Sequence, residues 1–151
     1  MKSILIGLGN PILGDDGVGW KVAEQVQKQL PPDLPVDIEF LSLGGISLME
    51  HLIGYERAIL IDAVSSDEEP GSIVVSNLSE MPDTSAFHTT SVHDTSLQNA
   101  IKLGKTMGAD LPKQVIVVGI VTQRIYDFGE ELSQPVANSL YKAAQIVIEL
   151  L

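Results

Sequence analysis

Four side chains in this 151-residue sequence stand where chemistry could be done. Asp15 and Asp16 follow the first apolar run, Asp62 follows another, and His93 sits at the mouth of a helical segment. Carboxylates and an imidazole can act as general acids and bases or hold a metal ion. The sequence has no cysteine, so disulfides, thiolate metal sites and cysteine nucleophiles are impossible. Any metal would be held by Asp, Glu, His or backbone oxygen. Asp62 is the most telling of the four. A carboxylate directly after Ala58-Ile59-Leu60-Ile61 must leave the core or find a partner, because an unpaired buried charge is very costly. A metal ion or a hydrogen-bonded loop would supply that partner.

Each of these residues also has a plainer use. Asp15 and Asp16 precede Gly17 and a helix, so they could cap that helix and complement its dipole. An Asp after a strand is often a turn residue. His93 could be a structural hydrogen-bonder, and His88, in the same loop, competes with it for any ligand role. His51, near Met49 and Leu52 on a helix, reads as structural.

The elements that must position these groups follow from apolar periodicity. Ser3 to Leu8 reads as a buried strand, closed by Gly7-Leu8-Gly9-Asn10-Pro11. Apolar residues at 18, 22, 23, 26 and 30 give a helical stripe from Val18 to Leu30, stopped by Pro31 and Pro32. Val36 to Leu41 is a second strand, and Gly44-Gly45 opens a short helix around Ser47 to Leu52. Ala58 to Ile61, ending in Asp62, is a continuous apolar run that suits a parallel strand covered on both faces.

Ser72 to Ser76 is a shorter strand nearer an edge, and Leu78 to Val92 is a long loop of the kind that often carries function. Helix resumes after His93, with Asp94 or Thr95 as cap and Leu97, Ala100, Ile101, Gly104 and Met107 on one side. Val115 to Val121 is the last strand. A final helix from about Gln134 to Leu151 gathers residues 136, 140, 143, 144, 147 and 151 on one face. This order predicts a single α/β domain over residues 1–151: a mostly parallel twisted sheet of about five strands, flanked by helices on both faces. Open α/β sheets form sites at the carboxyl ends of their strands. Asp15, Asp16, Asp62 and His93 are all expected on that rim.

Composition narrows the partners. A formal charge of −11 repels polyanions, so no nucleic-acid partner is expected. The longest apolar runs, Ala58 to Ile61 and Val115 to Val121, are too short to span a bilayer. The first residues show no export signal, which makes a cytoplasmic location the expectation. Nothing in the pattern demands a second copy, so a monomer is expected.

Several familiar chemistries lack their signatures. Gly7-Leu8-Gly9 begins like a dinucleotide fingerprint, but Ile12 stands where its third Gly is required, and Phe40-Leu41-Ser42 supplies no acid for a ribose. Neither a Gly-x-Ser-x-Gly elbow nor a His-Glu-x-x-His helix occurs.

The run Gly7-Leu8-Gly9-Asn10-Pro11-Ile12-Leu13-Gly14-Asp15-Asp16-Gly17-Val18-Gly19 resembles the amino-terminal signature of the hydrogenase maturation endopeptidases. Ile61-Asp62-Ala63 and Ser91-Val92-His93 resemble the family's two other blocks, with similar spacing, and the resemblance runs over nearly the whole chain. It implies an endopeptidase that removes a carboxy-terminal extension from the large-subunit precursor of a nickel–iron hydrogenase. It also implies a metal site of Asp16, Asp62 and His93 that engages nickel already carried by the precursor. Two carboxylates and an imidazole make an incomplete shell suited to nickel, with positions left for substrate or water.

For cleavage the resemblance leaves two routes open. The metal could activate water or polarise the scissile carbonyl, or Asp16 could be the catalytic general base while nickel serves recognition. Asp15 is expected to be a cap. One departure matters: where many members carry an acidic loop after strand two, this chain has Leu43-Gly44-Gly45-Ile46, so no catalytic acid transfers there. Gly44 and Gly45 are expected to shape the cleft.

Two competing functions carry the same residues. A non-enzymatic, nickel-dependent checkpoint or chaperone for the precursor would need the same ligands. Peptidyl-tRNA hydrolases also open with Gly-Leu-Gly-Asn-Pro, but this chain follows it with Asp15-Asp16-Gly17, and its acidity suits tRNA badly.

Overall fold

The computed structural model describes residues 2–81, 95–123 and 127–151. Its frame is a five-stranded sheet in the order β2-β1-β3-β5-β4. Strands β1 (Ser3–Leu8), β2 (Val36–Leu41), β3 (Arg57–Val64) and β5 (Gln114–Val121) run parallel, and β4 (Ile73–Asn77) closes one edge antiparallel to β5. The mostly parallel α/β architecture is as expected, and β1 and β2 keep their expected bounds.

Pleating divides the apolar strand residues between two cores. Ile4, Ile6 and Leu8 of β1 point to the face covered by helices α2 (Gly45–Leu52) and α3 (Leu97–Thr106), where they meet Leu48, Leu52 and Leu97. Leu5, Ile59 and Ile61 point the other way, against Val22 and Val26 of α1 (Val18–Gln29) and Val136 and Val147 of α4 (Gln134–Leu150). Both faces of the central strands are thus covered, which is why they read as unbroken apolar runs. Among the described residues, no helix is long and apolar enough to cross a membrane.

Helix α1 lies unusually close to the sheet because glycine lines the contact. A Cβ on Gly19 would stand 2.3 Å from the carbonyl oxygens of both Leu8 and Ile61, and one on Gly7 would stand 2.6 Å from the Gly19 carbonyl. These clashes are with backbone, so no side-chain adjustment could relieve them. The glycine-rich opening of the chain serves this close packing and the turn that follows.

Three local expectations are corrected. Strand β3 does not end at Ile61: it continues to Val64, and Asp62 pairs with Gly119 inside the ladder. The extension follows from β5, whose own run to Val121 offers backbone partners beyond Ile61. Helix α3 is capped by Ser96, whose Oγ accepts from the Asn99 amide at 3.1 Å, and not by Asp94 or Thr95. Met107 is 78% exposed, because the helix has ended at Thr106 before its stripe reaches that residue. Asp94, like His88 and His93, lies outside the described residues.

Candidate active site

Strands β1 and β3 are neighbours, yet the chain leaves β1 toward β2 and leaves β3 toward β4, in opposite directions across the sheet. Open α/β sheets bind ligands in the crevice outside the carboxyl ends of two such strands. Two buried acids belong to the segments beside that crevice. Asp62 comes from β3 and is 2% exposed. Asp16 comes from a 3-10 turn, Gly14–Gly17, that packs against β3. Neither carboxylate is without an interaction partner.

Asp16 does not cap α1. The N-cap of that helix is Gly17, which has no side chain to cap with. The Asp16 Oδ2 instead accepts from the Asn10 amide at 3.0 Å, closing the loop that leaves β1. Gly9 makes this loop possible. Its φ is +135°, a conformation side-chain-bearing residues rarely adopt, and a Cβ there would lie 1.9 Å from the Asp16 carbonyl oxygen. Asn10 adds an Asx-type turn, its Oδ1 accepting from the Ile12 amide at 3.2 Å.

Asp15 is a cap, but of a helix at the far end of the sequence. Its two oxygens accept from the backbone amide and the hydroxyl of Ser133, each at 2.7 Å, and Ser133 is the N-cap of α4. A carboxylate at that helix N-terminus also complements the dipole. The paired acids therefore divide their labour: Asp15 fastens the turn to α4, and Asp16 closes the loop that leaves β1.

Backbone bonds hold the turn from both sides. The Gly14 amide donates to the Gly129 carbonyl, and the Gly129 amide donates to the Ile12 carbonyl, both at 2.8 Å. On the other flank, the Gly9 amide donates to Leu41 at 3.1 Å and the Ser42 hydroxyl donates to the Gly9 carbonyl. The Trp20 indole donates to the Leu41 carbonyl at 3.1 Å, anchoring α1 to the same corner. A site whose supports are locked in this way can hold reacting groups in one geometry.

The helices on the opposite face also meet at this rim. Gly45, the first residue of α2, has φ +53°, and a Cβ on it would lie 2.8 Å from the Thr95 carbonyl oxygen just before α3. The need for glycine at position 45 thus has a steric basis in the packing of α2 against the residue before α3. Gly44, with φ −138°, adopts backbone open to any residue.

Sequence reasoning missed two features. Thr122 is a buried hydroxyl directly after β5, at the same end of the sheet; its signal was a polar residue closing an apolar run, as at Asp62. Ser133 gave no local signal. His51 is structural as expected, through a specific partner: its Nδ1 lies 2.8 Å from Glu39 Oε2 of β2. The third expected ligand, His93, lies outside the described residues. Among the described residues, no group of three or more acid or histidine side chains is placed to hold a metal.

The sequence profile described as hydrogenase maturation protease (HycI) matches residues 20–150. The chain belongs to the hydrogenase maturation protease family. The match begins at Trp20, after the Gly7–Gly19 block, so membership rests on the rest of the chain and not on that signature alone.

This maturation protease relative is 27% identical over 150 residues to the hydrogenase expression/formation protein HoxM of Azotobacter vinelandii, covering 98% of this chain and 71% of that protein. It is also 27% identical over 151 residues to the putative hydrogenase maturation protease MJ0253 of Methanocaldococcus jannaschii, covering 96% and 93%.

Among solved structures, the hydrogenase maturating endopeptidase HybD of E. coli superposes with a TM-score of 0.82 at 24% identity, over 100% of this chain and 92% of that one. At that identity the likeness establishes the fold. The maturation protease HybD of Thermococcus kodakarensis gives a TM-score of 0.68 at 26% identity, over 99% of both chains.

Proposed function

We propose that this protein is an endopeptidase that removes the carboxy-terminal extension of a nickel-loaded hydrogenase large-subunit precursor. Asp16, Asp62 and His93 would read the nickel that the substrate brings. One observation supports the reading: two buried acids from distant parts of the chain, Asp16 and Asp62, belong to the segments at the carboxyl ends of β1 and β3, beside the switch point where such folds take ligands. The plainer readings fit less well, since the N-cap of α1 is Gly17 rather than Asp16 and Asp62 lies within a strand.

Oxygen ligands from Asp16 and Asp62 and an imidazole nitrogen from His93 suit a borderline metal such as nickel. Loading is an energetic discriminator in this scheme. Without a cation two carboxylates drawn toward one place repel each other, and a nickel-bearing substrate relieves that repulsion. Asp16 is the candidate general base, its carboxylate oriented by the Asn10 amide. The bound nickel would supply positive charge near the scissile carbonyl.

A protein substrate also fits the surroundings. Ile12, Ile46 and Phe128 are exposed large apolar side chains on the segments that border the rim. The reading carries with it the expectation of a cytoplasmic monomer. Family membership leaves the peptidyl-tRNA hydrolase alternative without support.

The test is intact-mass spectrometry of nickel-loaded and nickel-free precursor after incubation with the protein. A shortened chain only in the loaded sample is expected. An unchanged mass in both would replace the peptidase reading with that of a nickel-dependent checkpoint.

A further inference from the structure

A hollow of about 470 Å³ lies on the α2/α3 side of the sheet, between α3 and the β4/β5 edge. It is at the opposite end of β5 from the carboxylate rim, since Gln114 and Val115 line it whereas Asp62 pairs with Gly119. Its floor is apolar, with Leu78, Met81 and Val115. Around it stand Lys102, Lys105 and Lys113, three of only nine cationic residues in a chain of net charge −11. All three are exposed, and none forms an ion pair among the described residues. A fourth cation adjoins the group: Arg57 donates through Nε to the Gln114 side chain at 3.1 Å.

A helix-dipole role would account for Lys105, in the last turn of α3, but not for Lys102 or Lys113. Concentrating unpaired cations on an otherwise acidic molecule costs mutual repulsion that even spacing would avoid. Exposed ammonium groups set around an apolar floor match a chain that alternates acidic and apolar side chains, each lysine stem covering part of the floor. A small anion would want buried, convergent cations, whereas Lys102, Lys105 and Lys113 are all exposed. We infer that this hollow is a docking site for an acidic, apolar-anchored segment of a partner polypeptide. It is distinct from the carboxylate rim, and the inference does not depend on the peptidase reading.

The probe is a synthetic fluorescent peptide of about ten residues alternating Glu and Leu, titrated with the full chain and followed by anisotropy. The unspecific field of this protein repels such a peptide, so binding would report the local cluster. Saturable binding is expected, weakening as salt rises from about 50 mM to about 300 mM. The triple variant Lys102→Glu/Lys105→Glu/Lys113→Glu should bind about tenfold or more weakly while keeping its circular dichroism and melting temperature. The control Lys21→Glu/Lys28→Glu/Lys142→Glu makes the same net charge change away from the hollow and should bind like the parent. Absence of binding, or equal losses in the two triple variants, overturns the proposal. Full competition by inorganic tripolyphosphate at an affinity equal to the peptide's would make this a small-anion site and overturn the polypeptide assignment.

Discussion

Removing the Asp15 carboxylate should destabilise α4, although the two are remote in sequence. Asp15 accepts two hydrogen bonds at 2.7 Å from Ser133, one from the backbone amide and one from the hydroxyl. A hydrogen bond to a charged group contributes roughly 1.5–3 kcal/mol, and the two here are not additive because they share one carboxylate. Asp15→Ala should therefore cost about 3 kcal/mol. At roughly 2–4 °C per kcal/mol for a domain of this size, that is a fall in Tm of roughly 6–12 °C.

Ser133→Ala removes only the hydroxyl bond and should cost about 1–2 kcal/mol. The assay is urea denaturation followed by Trp20 fluorescence, with all four members of the double-mutant cycle. A coupling energy of about 1–2 kcal/mol is expected. Additive losses would refute the long-range cap, and so would an Asp15→Ala cost below about 0.5 kcal/mol. Were Asp15 a cap of α1, the Ser133 substitution would leave its contribution untouched.

Three further outcomes follow from the same geometry. Gly9→Ala combines an unfavourable φ with a Cβ driven into the Asp16 carbonyl, so a loss of about 3 kcal/mol or more and a collapse of precursor processing are expected, read by calorimetry and intact mass. The Tyr55 phenol is pushed up to about 12, first because its hydroxyl donates to Asp37 at 2.5 Å and then because of burial. Its contribution to stability is therefore fully present below pH 10 and lost as pH rises through about 12, and phenolate absorbance of Asp37→Asn should show Tyr55 titrating earlier. Asp62→Asn and His93→Ala should each abolish processing of nickel-loaded precursor while the circular dichroism spectrum is retained; full activity in both would remove the ligand assignment.

What the sequence disclosed of this molecule depended on how local the governing force was. Strand β1 was legible to the residue because burial on both faces leaves an apolar run closed by a glycine turn, and the half-exposed edge strand β2 because Val36, Ile38 and Phe40 alternate with Asp37 and Glu39. The end of β3 was not, because Asp62 looked like a terminator while the ladder was being extended by β5 across the sheet. Asp16 and Asp62 could be named from their positions after apolar runs. The distinct role of Asp15 could not, since its partner Ser133 is 118 residues away and nothing near either residue signals the other. Gly45 was legible as a glycine of use, but the reason for it, the Thr95 carbonyl at the foot of α3, belongs to tertiary packing.

The central claim is that Asp16, Asp62 and His93 grip one cation borne by the substrate. Anomalous diffraction at the nickel edge from crystals of the protein with nickel-loaded precursor tests it directly. The account predicts a single peak at the β1/β3 switch point, within coordination distance of both carboxylates and the imidazole. A nickel peak bonded elsewhere, or one touching neither Asp16 nor Asp62, would contradict it.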